Sequence, residues 1–276
     1  MDVRHAVHPD HIAQFDTEAL RANFLVSGLF PADRVQATYT HEDRMVVFGT
    51  SPVAGEPVDL PTFDPLRADF FLERREAGIV NLGGPGTVVA DGTAFDLDNK
   101  DCLYLGAGTR DVRFSSNEPN RARFYGASAN AHATHPNTMV RLADTPGDLV
   151  GTAAGANVRT VRRYIHDDGL PSCQLVLGIT VLEEGSVWNT MPCHLHDRRT
   201  EIYLYTDLAP EQRVIHLMGP ADRTRNLVVA GDEAVISPSW SVHLGCGTGA
   251  YAYVWAMAGE NKAFADMDHV AVPELR

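Results

Sequence analysis

The sequence predicts a mainly β protein of two β-barrel, jelly-roll-like halves, with a metal site in the C-terminal half. Three observations carry that expectation. Short apolar runs rich in Val, Ile, Tyr and Phe recur between Gly- and Asp-containing turns. The same rhythm occupies two stretches, separated by residues 128–158, which are rich in Ala, Pro, Asn, Thr and Gly. The second stretch alone follows a His-x-His pair with a spaced glutamate. The expected division is therefore residues 1–150, a barrel without a metal site, and residues 151–276, a barrel that holds one.

In chain order, residues 16–25 offer one short helix, with Asp16 or Thr17 as N-cap and Glu18 in the first turn. Strand signals dominate after the first sixty residues, with 64–76 ambiguous between strand and helix. Residues 78–90, an Asp91-Gly92 turn and residues 93–97 read as a hairpin. Cys102–Leu105 and residues 121–127 follow as strands. In the second half the strand signals fall at 160–165, 173–182, 201–205, 213–218, 226–230, 233–237 and 250–257.

Bulk properties narrow the function. The chain has 276 residues, 44% hydrophobic and 21% charged, enough for a large core without stapling. No apolar run approaches the roughly 20 residues that cross a bilayer. The polar start, Met1-Asp2-Val3-Arg4-His5, leads into no apolar signal region, so a cytoplasmic location is expected. Cys102, Cys173, Cys193 and Cys246 show no paired spacing and read as reduced thiols. A formal charge of −13 argues against nucleic acid as a partner. Lys100 and Lys262 are the only lysines, and neither lies in an apolar run, which disfavours Schiff-base chemistry.

The chemistry concentrates in residues 193–201, CHLHDRRTE. On a strand, His194 and His196 project to one face, while Cys193 points to the other. A turn through Asp197–Thr200 returns the chain and sets Glu201 beside them, with Tyr203 and Tyr205 on the same inward face. His243, re-entering after Pro238, supplies a fourth member. Three imidazoles and one carboxylate suit Zn, and also Mn, Fe, Ni or Co. This order resembles the two-part motif of the cupin superfamily, although Trp188, Leu208 and Ser239-Trp240-Ser241 replace its glycine-bearing turn positions. His5, His8, His11, His41, His132, His135 and His166 sit in polar contexts and read as solvated. His216 alternates within an apolar strand and can face the same cavity as the ligands.

Longer stretches carry a narrower resemblance. MDVRHAVH at the start, FFLERREAGIVNLGG at 70–84, WNTMPCHLHDRR at 188–199, AVISPSWSVH at 234–243 and GENKAFADMDHVAV at 259–272 resemble the 5-keto-4-deoxyuronate isomerase family. These are the 4-deoxy-L-threo-5-hexosulose-uronate ketol-isomerases. The resemblance implies a bicupin, usually hexameric, with one zinc per subunit on His194, His196, Glu201 and His243. It implies isomerisation of 5-dehydro-4-deoxy-D-glucuronate to 3-deoxy-D-glycero-2,5-hexodiulosonate in pectin breakdown. Such a reaction needs a proton shuttle, for which His216 and, near the C-terminus, Asp266 or Asp268 with His269 are candidates. An anionic keto-uronate also needs an arginine fork in an acidic protein. Arg159, Arg163 and Arg199 are the candidates. Two other readings share the ligand set: a ferrous dioxygenase and a non-catalytic sugar-binding cupin.

Overall fold

The computed structural model describes residues 1–117 and 121–276. Strands dominate, and they fall into two compact units that the chain visits alternately. The first holds residues 1–3, 28–145 and 164–176; the second holds 4–27, 146–163 and 177–276. The chain thus changes unit at 3/4, 27/28, 145/146, 163/164 and 176/177.

In the first unit a seven-stranded sheet runs Asp2–Arg4, Gln36–Thr40, Val46–Thr50, Phe124–Asn130, Arg75–Asn81, Cys102–Leu105 and Thr138–Val140. A four-stranded sheet orders Val58–Asp59, Val112–Ser116, Gly86–Ala90 and Thr93–Leu97. The expected hairpin is correct only in its second part. Gly86–Ala90 pairs with Thr93–Leu97 across Asp91-Gly92, both at positive φ (46° and 80°), the geometry of a tight β-turn. Residues 78–81 belong instead to Arg75–Asn81 of the larger sheet, because the chain bends through Leu82–Pro85. The early strands Gln36–Thr40 and Val46–Thr50 lie ahead of the region where strands were expected to begin. The ambiguous 64–76 stretch is a 3-10 turn at Asp64–Leu66, with the strand beginning only at Arg75. Phe48, Phe71, Phe114 and Phe124 interlock in the core of this unit. Glu76 is fully buried and anchored: its carboxylate accepts from Tyr104 Oη at 2.7 Å and from the backbone N–H groups of Cys173, Gln174 and Leu175 at 2.7–2.8 Å.

Near the start of the second unit lies the one α-helix among the described residues, Thr17–Phe24, capped by Asp16, whose Oδ1 accepts from Ala19 N at 2.8 Å. Leu20 and Phe24, four residues apart, form its buried face. The chain then enters Leu25–Val26, which pairs with Ala234–Ser237 (Leu25 opposite Val235, Val26 opposite Ala234). That pair ends a seven-stranded sheet ordered Gly147–Val150, Arg159–Ile165, Val176–Leu182, Ala252–Gly259, Arg199–Thr206, Ala234–Ser237 and Leu25–Val26. The presumed connector 128–158 therefore supplies two strands, Thr138–Val140 and Gly147–Val150. A three-stranded sheet of Arg225–Val229, Val214–Gly219 and Val242–Gly247 completes the unit with a small pair, His194–Leu195 against Asp268–His269.

Candidate metal centre

The centre of the second unit is set by strand register. Arg199–Thr206 lies between Ala252–Gly259 and Ala234–Ser237, so Glu201 sits opposite Met257 on one side and Ser237 on the other. Alternation then turns Glu201, Tyr203 and Tyr205 to one face, as the spacing predicts. His243 arrives on Val242–Gly247, and His194 on the short strand whose partner is His269. Cys193 faces away into an apolar cluster with Val242, Leu244 and Val270, where burial raises its thiol pKa.

His194, His196, Glu201 and His243 come together, all buried, with one ligand atom from each lying within 4.8 Å of the others. His194 Nε2 is 3.2 Å from His196 Nε2, and Glu201 Oε2 lies 3.0 Å from His196 Nε2 and 2.7 Å from His243 Nε2. These are not mutually satisfying hydrogen bonds. His243 Nε2 is buried and lacks an aligned partner in spite of its short approach to the carboxylate. The outer ring nitrogens explain the orientation. His196 Nδ1 is 2.8 Å from the Asp266 carbonyl, and His243 Nδ1 is 3.3 Å from the Ser241 carbonyl. A carbonyl only accepts, so both Nδ1 atoms carry a proton and both Nε2 atoms turn inward toward Glu201. Arg199 Nη2, 3.0 Å from His196 Nδ1, directs its hydrogen to the same Asp266 carbonyl at 2.7 Å. Burial, reinforced by His243 and His196, pushes His194 down to about 2 and keeps it neutral. Burial alone would raise Glu201, but His243 and His196 outweigh it and hold the carboxylate ionised. Three imidazoles and a carboxylate converging on one point are the donor set of a divalent metal, so the residues fit such an ion.

A cavity of about 270 Å³ adjoins the cluster and exposes His194, His196 and Glu201 on its wall. Its polar rim comes from Asp148, Arg159, Thr180, Thr190, Tyr203, Tyr253 and His269, its apolar wall from Val150, Val161, Trp255, Met257, Phe264 and Met267 among others. Thr190 Oγ1 and Tyr203 Oη are 3.2 Å apart, and Trp255 Nε1 donates to Thr180 Oγ1 at 3.1 Å. Burial raises the pKa of Tyr203 and Tyr253, which remain neutral donors.

The other sequence candidates separate clearly. Arg159 lines the cavity. Arg163 lies outside its lining and pairs with Asp148 at 2.8 Å. Arg199 is 1% exposed and spends its guanidinium on the Ala263 and Asp266 carbonyls, so it braces the C-terminal segment and does not reach the cavity. His216 is fully buried, with Nδ1 2.7 Å from Tyr205 Oη, and is not on the cavity wall. Asp268 is exposed and bonded to Arg198 Nη2 at 2.9 Å, while His269 beside it reaches the cavity, its ring 6.1 Å from that of His194. Sequence reasoning missed Asn189, whose Oδ1 accepts from Gly245 N at 2.6 Å and Thr190 N at 2.5 Å, pinning the segment before His194 to the His243 strand.

A sequence model of the KduI/IolB family matches residues 27–272. The chain is 50% identical to a 4-deoxy-L-threo-5-hexosulose-uronate ketol-isomerase of Bacillus pumilus over 276 residues, covering both chains completely. It is also 50% identical to the same-named protein of Kineococcus radiotolerans over 280 residues and 48% identical to that of Yersinia pestis over 278, again with full coverage. Among solved structures, an IolB-like protein from Salmonella typhimurium superposes with a TM-score of 0.71 at 17% identity, over 90% of this chain and 97% of that one. Lactobacillus farciminis oxalate decarboxylase superposes at 0.57 with 10% identity, over 83% and 79%. These last two likenesses show a shared cupin-like fold.

Proposed function

Because this chain belongs to the KduI/IolB family, we propose that it is a uronate ketol-isomerase. It converts 5-dehydro-4-deoxy-D-glucuronate to 3-deoxy-D-glycero-2,5-hexodiulosonate in pectin catabolism. In this reading each subunit is a bicupin that binds one zinc through His194, His196, Glu201 and His243, and the subunits form a cytoplasmic hexamer. The observation that carries it is the buried three-histidine, one-glutamate cluster beside a cavity that also holds an arginine.

When bound, a divalent ion supplies Lewis acidity toward the carbonyl and neighbouring hydroxyl of the sugar acid. The remaining work falls to the chain. Arg159 receives the carboxylate: it lies on the cavity wall with Nη1 on the Asn157 carbonyl, whereas Arg163, on Asp148, and Arg199, on two carbonyls, lie off that wall. Thr190, Tyr203 and Tyr253 offer hydroxyls to those of the sugar. Moving a proton between neighbouring carbons on the way through an enediol requires a titratable group at the cavity wall. His269 is the imidazole there outside the ligand cluster, and we assign it that role; His216 supports Tyr205 from behind, and Asp268 holds Arg198.

The test is metal analysis of the purified protein followed by NMR of the keto-uronate after anaerobic incubation. Zinc at one per chain with the ketose formed is expected. Oxygen uptake dependent on iron, or no turnover of any uronate, would overturn the assignment.

A further inference from the structure

Apart from the metal centre, the first unit carries a cavity of about 470 Å³ with an unusual lining. Arg67, Arg74 and Arg75 all face it, with Tyr39, Phe71 and Asn130, and no carboxylate belongs to its wall. In a chain of net charge −13, three cations converging without an acid stand against the general balance.

Arg75 makes the contrast sharper. It begins the Arg75–Asn81 strand opposite Asn130 and is only 5% exposed. Its guanidinium donates from Nε to Ser128 Oγ at 3.1 Å, from Nη1 to Asn130 Oδ1 at 2.9 Å, and from Nη2 to the Arg44 and Ser128 carbonyls at 2.6 and 3.0 Å. Every one of these acceptors is neutral. Among the described residues Arg75, Arg74 and Arg67 form no ion pair with a carboxylate. A buried cation with four of its five hydrogens satisfied but its charge unanswered is costly. Burial accordingly pushes the Arg75 pKa down to about 10. Of the two Nη1 hydrogens, one remains after Asn130 is served. Arg74 Nη2 bonds the carbonyls of Leu66 and Arg67, which holds the Asp64–Leu66 turn so that both exposed arginines stand on the cavity rim.

We propose that this cavity is a second ligand site, for a small carboxylated molecule of hexuronate size. Arg75 at its floor neutralises the carboxylate, Arg67 and Arg74 close over it from the rim, and Tyr39 and Phe71 flank the carbon skeleton. The site is independent of the isomerase reading, since it shares no residue with the metal-centre cavity.

Calorimetric titration of the full-length, metal-loaded protein with D-galacturonate tests it, alongside D-galactose and inorganic phosphate. Wild-type protein is expected to show two galacturonate sites per chain. The Arg67→Glu/Arg74→Glu variant should keep one, with the lost site weakened at least about ten-fold and turnover unchanged. Arg75→Met should lose the same site if it folds; the rim variant decides the matter if it does not. Failure of the isomerase reading would leave wild type with one site and the rim variant with none, so the two proposals fail separately. Equal stoichiometry and affinity in wild type and rim variant would overturn the site. Equal binding of galactose, or occupancy by phosphate without galacturonate, would overturn its ligand class.

Discussion

At the scale of single residues, the four members of the candidate metal cluster are held unequally. His243 approaches Glu201 most closely and has no other partner for its Nε2, so its loss removes a quarter of the donor set and strands the carboxylate. His243→Ala is expected to abolish turnover and deplete bound metal, read by elemental analysis after chelation and zinc repletion. His269→Gln should act differently, lowering kcat by about 10²–10⁴-fold while metal content stays at the wild-type level. A parallel loss of metal would make it a structural residue. Arg159→Gln should raise KM by about 10–100-fold, the worth of a charge-assisted hydrogen bond, with a smaller effect on kcat. The cluster of His194, His196, Glu201 and His243 was legible because His-x-His and the following turn fix side-chain direction. The arginines were not, since Arg159, Arg163 and Arg199 look alike in sequence. Only their surroundings tell them apart: Arg159 donates to the Asn157 carbonyl and lies on the cavity wall, Arg163 pairs with Asp148, and Arg199 serves two backbone carbonyls away from the cavity.

At the scale of elements, the segment from Glu260 to His269 works as a brace for the metal centre. Its Asp266 carbonyl fixes the tautomer of His196, its Phe264 and Met267 line the cavity, and Arg198 clasps it through Asp266 and Asp268. Arg198→Ala should leave the fold intact yet weaken metal affinity by about 10–100-fold, as loss of an outer partner does at other metal sites. A metal titration with a competing chelator measures it, and unchanged affinity would mean the strand pair His194–Leu195 with Asp268–His269 suffices alone. No reading of side chains could have found this brace, because its key atom is a backbone oxygen seventy residues from the imidazole it serves. Regular elements with strong local signals, such as the Asp16-capped helix and Cys102–Leu105, were legible to within a residue. Gly147–Val150 was not, since an exposed edge strand with one apolar pair resembles a loop.

At the scale of the whole molecule, tyrosines set the alkaline limit. Burial raises the pKa of Tyr125 and Tyr251 far above the ordinary value of 10, and Tyr203, Tyr205 and Tyr253 follow. Their contribution to stability is complete below pH 10; above it the unfolded chain loses protons that the folded one retains, so stability falls as pH rises. Absorbance at 295 nm and far-ultraviolet dichroism should therefore change together in one transition above pH 10. Tyrosinate appearing well before loss of structure would contradict this. The alternating visits of the chain to its two units carry a further consequence, for synthesis. Leu25–Val26 leaves the ribosome about 200 residues before Ala234–Ser237, the strand it pairs with. At about 5–20 residues per second, that is a wait of roughly 10–40 s. Until then the first strand of the second unit has no edge to join, and a nascent chain halted before residue 234 must carry it unpaired.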